Sequence, residues 1–199
     1  MAASPSTEIL ALDEQARALL LDIADAAVVA GLDGLDPPPP DLDSLPPVLR
    51  EPSGVFVTLL VRGELNGCVG NVSAGRPLAL GVARYARAAA FEDPRLPPLH
   101  WRDYDFTEIE VSVLSPLTPI EAGSRAELLA ALRPGVDGLY LSSAGRASVF
   151  LPVVWEQLPD PDDFVRQLQH KAGLAPERWP SDMAARRFTA VLFGRAAGR

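Results

Sequence analysis

The stretch that decides the reading is Gly54-Val55-Phe56-Val57-Thr58-Leu59, followed after a turn by Leu65-Asn66-Gly67-Cys68-Val69-Gly70. The first half is β-branched and apolar, and Val55 to Val61 reads as a strand. Arg62-Gly63-Glu64 turns the chain, and Leu65 to Val69 returns as the second arm of a β-hairpin. The return arm holds the only cysteine, placed between glycines. Glycine lacks a Cβ, so it allows close approach to the backbone. A thiol flanked in this way either meets a ligand or is a small buried side chain in a tight turn.

Outward from the hairpin, the chain alternates helix and strand signals. Residues 8–30 read as an amphipathic helix, with Leu12, Ala16, Leu19, Ile23 and Ala27 at helical spacing, Ser6 or Thr7 as its cap and Gly31 as its stop. Residues 36–47 form a proline-rich connector, its alternative being a motif for a proline-recognising partner. Residues 54–193 are expected to form the motif-bearing core. Within it, Pro77 opens a helix through Ala90, and Asp93-Pro94-Arg95 ends it. Pro97-Pro98 keeps the chain irregular. Thr107 to Leu114 alternates as a half-buried strand, and Ser124 with Glu127 forms a capping box. A second hairpin surrounds Ala144-Gly145, and Asp160-Pro161-Asp162-Asp163 starts a helix that Gly173 stops. Arg187 to Phe193 reads as one last strand. Hairpins imply antiparallel pairing, so the expected class is α+β in a single domain spanning 1–199.

Composition narrows the function. At 199 residues and 48% apolar, the chain can bury a sizeable core. A net charge of −8 argues against nucleic acid and anionic membrane surfaces. No apolar run spans a bilayer, and Met1 to Thr7 carry no basic n-region, so a cytoplasmic protein is expected. One cysteine and two histidines exclude an internal disulfide and make a poor set of zinc ligands, so no metal is expected. No phosphate-binding glycine loop, HExxH or GxSxG is present.

Several residues carry possible chemistry. Cys68 paired with His100 or His170 would make a nucleophile pair, although His170 also complements a helix C-terminus. Arg95 either clamps an anion or pairs with Asp93 to fix its loop. Glu110 is a general acid or base, or a solvated carboxylate. Thr58 and Asn66 bring hydrogen-bonding groups near the thiol, and Asn before Gly is also turn chemistry. Lys171 is the only lysine, which reflects either an arginine-rich composition or a need for a compact ammonium that can lose a proton.

Taken in order, GVFVTL (54–59), LNGCVG (65–70), DPRLPPL (93–99), IEVSVLSP (109–116), GVDGLYL (135–141), FLPVVWE (150–156) and KAGL (171–174) resemble the AMME syndrome candidate protein family, the AMMECR domain. The resemblance implies an α+β fold of two intimate subdomains, with a mainly antiparallel sheet, packed helices and a motif cysteine near a cleft. It carries Cys68, Gly67, Gly70, Asp93, Arg95, Glu110 and Lys171 onto family positions. The catalytic candidates are Cys68, Glu110 and Lys171; the ligand-binding candidates are Asn66, Gly67, Gly70, Asp93 and Arg95. The resemblance leaves the cofactor unknown, and no activity is established for the family. Its association with a Memo-like protein and a radical-SAM protein implies those partners, and the expected role is an enzyme or enzyme subunit or, alternatively, a non-catalytic binding module. Two positions depart from the pattern. Asn66 replaces an arginine, which removes a cation from beside the thiol, and Val153 replaces a glutamine.

Overall fold

The computed structural model describes residues 10–36 and 38–198. These divide into two compact units. The larger runs to Leu114 and resumes with residues 191–198; the smaller is Ser115–Ala190.

The larger unit is built on a four-stranded sheet in the order β2-β1-β3-β8, from β1 (Val55–Val61), β2 (Glu64–Asn71), β3 (Thr107–Leu114) and β8 (Ala190–Ala196). β1 pairs antiparallel with both β2 and β3. Alternation sorts its side chains. Val55, Val57 and Leu59 with Ile109, Val111 and Val113 are buried beneath helix α1 (Glu14–Leu32) and helix α3 (Leu78–Phe91). Phe56, Thr58 and Leu60 point to the other face and are half-buried. The chain end is fastened to α1 by acids: Arg195 pairs with Asp22 at 2.5 Å, and Asp25 accepts from the Gly198 N–H at 3.1 Å and the Tyr104 hydroxyl at 2.7 Å. Burial and the neighbouring Asp25 push the Tyr104 hydroxyl well above its ordinary range, so it remains a donor.

The helix expected from residue 8 starts instead at Glu14, because Asp13 is extended and its carboxylate accepts from the Ala16 N–H at 2.8 Å. Ser6 and Thr7 lie outside the described residues. Gly31 does not stop this helix but lies inside it: a Cβ there would sit 2.2 Å from the Phe91 ring, so the missing side chain lets α1 and α3 approach. The helix closes one turn later. Leu35 donates to Ala30 and Gly34 to Gly31, with Gly34 at φ 73°, the paired hydrogen bonds of a left-handed cap. The connector contains a short 3-10 turn (Leu42–Ser44) and ends at a brief helix, α2 (Pro47–Arg50), rather than running straight into a strand. After Pro97-Pro98 comes one further turn, α4 (Trp101–Tyr104).

The smaller unit carries the sheet β4-β7-β5-β6, from β4 (Thr118–Ile120), β5 (Gly138–Ser143), β6 (Arg146–Phe150) and β7 (Ala184–Phe188). Helices α5 (Arg125–Ala131) and α6 (Pro161–Lys171) complete its core. Trp155 stacks on Phe164 with 3.8 Å between centroids, and its indole N–H donates to the Asp137 carbonyl at 2.7 Å. The single last strand expected over Arg187 to Phe193 is two, one in each sheet. The break falls at Thr189, whose N–H is taken by the Ser115 hydroxyl and whose carbonyl accepts from the Ser115 N–H, both at 2.9 Å. With those groups committed to Ser115, Thr189 cannot continue the ladder of β7.

Gly67 is where the sheet meets α3. A Cβ there would lie 1.9 Å from the Ala89 carbonyl oxygen, a backbone atom that cannot rotate aside. Gly67→Ala is expected to destabilise the protein by about 1–3 kcal/mol, whereas Gly75→Ala, whose Cβ would meet only the Ser73 hydroxyl at an ordinary 3.7 Å, changes stability by less than about 1 kcal/mol. Urea unfolding of the two variants measures the contrast.

Candidate functional site

The geometry of the cysteine begins with a register change. At the turn, Val61 faces Glu64 and Leu60 faces Leu65; beyond it, Leu59 faces Gly67 and Thr58 faces Cys68. Asn66 is therefore the extra residue of a β-bulge. Side chains alternate with period two, so the bulge reverses the facing of everything after it. Gly67 and Val69 turn towards the helices, and Cys68 and Gly70 turn to the open face of the sheet.

Cys68 is half-buried there. β2 is an edge strand, and the Cys68 peptide points away from β1. Its N–H donates to Asp93 Oδ2 at 3.0 Å, and its carbonyl accepts from the Arg95 guanidinium at 3.3 Å. Thr58 and Cys68 thus form a non-hydrogen-bonded pair, the arrangement that brings opposed side chains closest. The Thr58 hydroxyl donates to Cys68 Sγ at 3.2 Å. On the other side of Thr58 stands Glu110, its partner in β3. Thiol, hydroxyl and carboxylate therefore occupy one row across three strands. The row continues to Gly194 in β8, where a Cβ would come within 3.0 Å of the Glu110 side chain.

The loop that grips Cys68 is rigid. Asp93 is almost fully buried and accepts from the Arg95 N–H at 3.2 Å, Nε at 2.8 Å and terminal nitrogen at 2.6 Å. The Arg95 guanidinium, seconded by the Cys68 and Arg95 N–H groups, holds the Asp93 carboxyl far below the usual carboxylate range against the opposing effect of burial. Arg95 is itself 57% exposed in its side chain.

The remaining candidates fall into place by contact. Asn66 donates to the Pro97 carbonyl at 3.4 Å, while its Oδ1 is buried with no hydrogen-bond partner among the described residues. Gly70 lies under Phe56: a Cβ would meet that ring at 2.4 Å. Cys68, Glu110, Asn66, Gly67, Gly70, Asp93 and Arg95 all belong to the larger unit. Lys171 belongs to the smaller one, where its ammonium donates to the Val149 carbonyl at 3.0 Å and stands 5.1 Å from the centre of the Phe150 ring. Thr58, which the sequence offers only as a hydrogen-bonding group near the thiol, is set directly against the sulfur by the bulge. Among the described residues, no group of three or more histidine, cysteine, aspartate or glutamate side chains is placed to hold a metal, and no helix is long and apolar enough to cross a membrane.

Comparison with known proteins extends this description. The AMMECR1 family pattern matches residues 21–193. A protein of Methanothermobacter thermautotrophicus is 38% identical over 153 residues, covering 76% of this chain and 80% of that one. One from Thermofilum pendens is 36% identical over 194 residues, covering 92% and 91%. The crystal structure of an uncharacterised protein from Pyrococcus horikoshii superposes with a TM-score of 0.81 at 32% identity, covering 89% of this chain and 90% of that one.

The clamp has a defined pH signature. Asp93 titrates near 3.9 in an unfolded chain, roughly, and well below that when folded. Its contribution is complete above the unfolded value and is lost as pH falls through the folded one. Asp93→Asn is expected to lower stability by roughly 2 kcal/mol at pH 7. The deficit narrows progressively below about pH 4, as denaturant unfolding at both pH values would record.

Proposed function

This chain belongs to the AMMECR1 family, and on that footing we propose that the open sheet face around Cys68 is a recognition site whose thiol contacts a small molecule or a protein side chain. The observation that supports it is the pinned peptide. Asp93 and Arg95 hold the Cys68 backbone from both sides, while the bulge turns the sulfur off the hydrocarbon core. A site needs such fixed geometry more than it needs mobility. The glycines have packing roles in this reading, Gly67 against α3 and Gly70 beneath Phe56. Asn66, whose amide donates to the Pro97 carbonyl, puts an uncharged side chain where the family has a cation, which weakens the pull on an anionic ligand.

A catalytic version of the same site rests on the Cys68–Thr58–Glu110 row. In it Cys68 is the nucleophile, Thr58 steadies the sulfur and Glu110 transfers the proton. Arg95 contributes the part of its guanidinium that faces solvent to an anionic group of the substrate. Lys171, whose ammonium donates to the Val149 carbonyl, is the other proton-transfer candidate of this version. The Memo-like and radical-SAM proteins implied by the family resemblance are the partners proposed for either version, and the reducing interior of the cell is its setting.

Iodoacetamide labelling of the native protein is the test. Cys68 is expected to be alkylated without unfolding, and labelling that requires denaturant would end the proposal. The catalytic version further requires a rate above that of an unstructured cysteine peptide at pH 7, a several-fold slowing in Thr58→Val and recovery in Thr58→Ser. Without that excess rate, the binding version alone stands.

A further inference from the structure

A groove of about 430 Å³ lies on the outer side of α3, away from the residues of the cysteine row. This size accommodates a small molecule. One wall is the proline segment Pro38 to Pro40, whose rings are apolar and have no N–H to donate. The floor is Leu80 and Ala83, both half-buried. Two arginines one helical turn apart complete it, and they are not equivalent. Arg84 is held by Glu92 through two parallel hydrogen bonds of 3.0 and 2.9 Å. That fork is filled and its charge neutralised. Arg87 meets the Asp36 carboxylate at 3.1 Å, and that carboxylate is 91% exposed. An ion pair so open to water is weak, and an incoming anion exchanges with it readily.

We propose that this groove binds a small monocarboxylate with an apolar body, its carboxylate taking the place of Asp36 on Arg87 and its body lying between the proline rings and Leu80. One exchangeable guanidinium matches one carboxylate. A phosphate dianion would want a second cation, and the nearest is already satisfied by Glu92. Asp36 then acts as an internal competitor that keeps Arg87 oriented while the groove is empty of ligand.

The experiment is a titration of the full chain with phenylacetate at low ionic strength, followed by two-dimensional NMR. Saturable shifts are expected at Leu80, Ala83 and Arg87. Asp36→Asn should bind several-fold more tightly, because the competing carboxylate is gone. Arg87→Gln should bind about tenfold more weakly, with thermal melting confirming that it folds. Absence of saturable binding at millimolar phenylacetate would overturn the proposal. So would an unchanged affinity in Asp36→Asn, or displacement by inorganic phosphate at equal concentration.

Discussion

One extra residue sets the chemistry of this molecule. Asn66 is inserted into β2 between Leu65 and Gly67, and the sheet absorbs it as a bulge. Were Asn66 paired in register with Leu59, Cys68 would fall opposite Val57 beneath the helices and Gly67 would point outward. With the bulge, the side chain that α3 cannot tolerate is the one that is missing, and the sulfur stands beside a hydroxyl. The bulge thus solves a packing problem on one face and creates a polar row on the other.

The Asp-Pro-Arg loop follows from the same strand. An edge strand leaves peptide groups unpaired, and an unpaired edge invites association with other chains. Here a buried carboxylate and a guanidinium take up both groups of the Cys68 peptide. Two motifs separated by the whole of α3 are therefore one piece of structure. The charge on Asp93 is tolerable in a buried place because every direction it faces supplies a donor.

The strands β1 and β3 were legible because β-branched alternation is a strong local signal, and the start of α6 because cap, proline and acids coincide. The start of α1 is harder to place, because the apolar residues Leu10 and Leu12 carry the helical spacing past the Asp13 cap. The final strand reads as one in sequence because nothing local marks Thr189: its break is made by Ser115, seventy-four residues earlier. Gly31 resembled a stop and proved to be room for Phe91. For the site, the candidate residues near the hairpin and the Asp-Pro-Arg loop were visible. Their grouping was not, because a one-residue register change has no compositional signature and decides which face each side chain takes. The groove beside α3 is hidden in the sequence for another reason: its proline wall and its arginines meet only in space.

Residues 115–190 interrupt a sheet that is completed only when β8 returns to lie beside β3. During synthesis on a ribosome, the larger unit must wait with the β8 side of β3 uncovered until the residues of β8 have emerged. The two hydrogen bonds between Ser115 and Thr189 tie the ends of the intervening segment together. Once that segment has folded, the ring that β8 must close is entropically short despite its length in sequence. The order of assembly is thereby written into the chain: the inserted part matures first and delivers the closing strand.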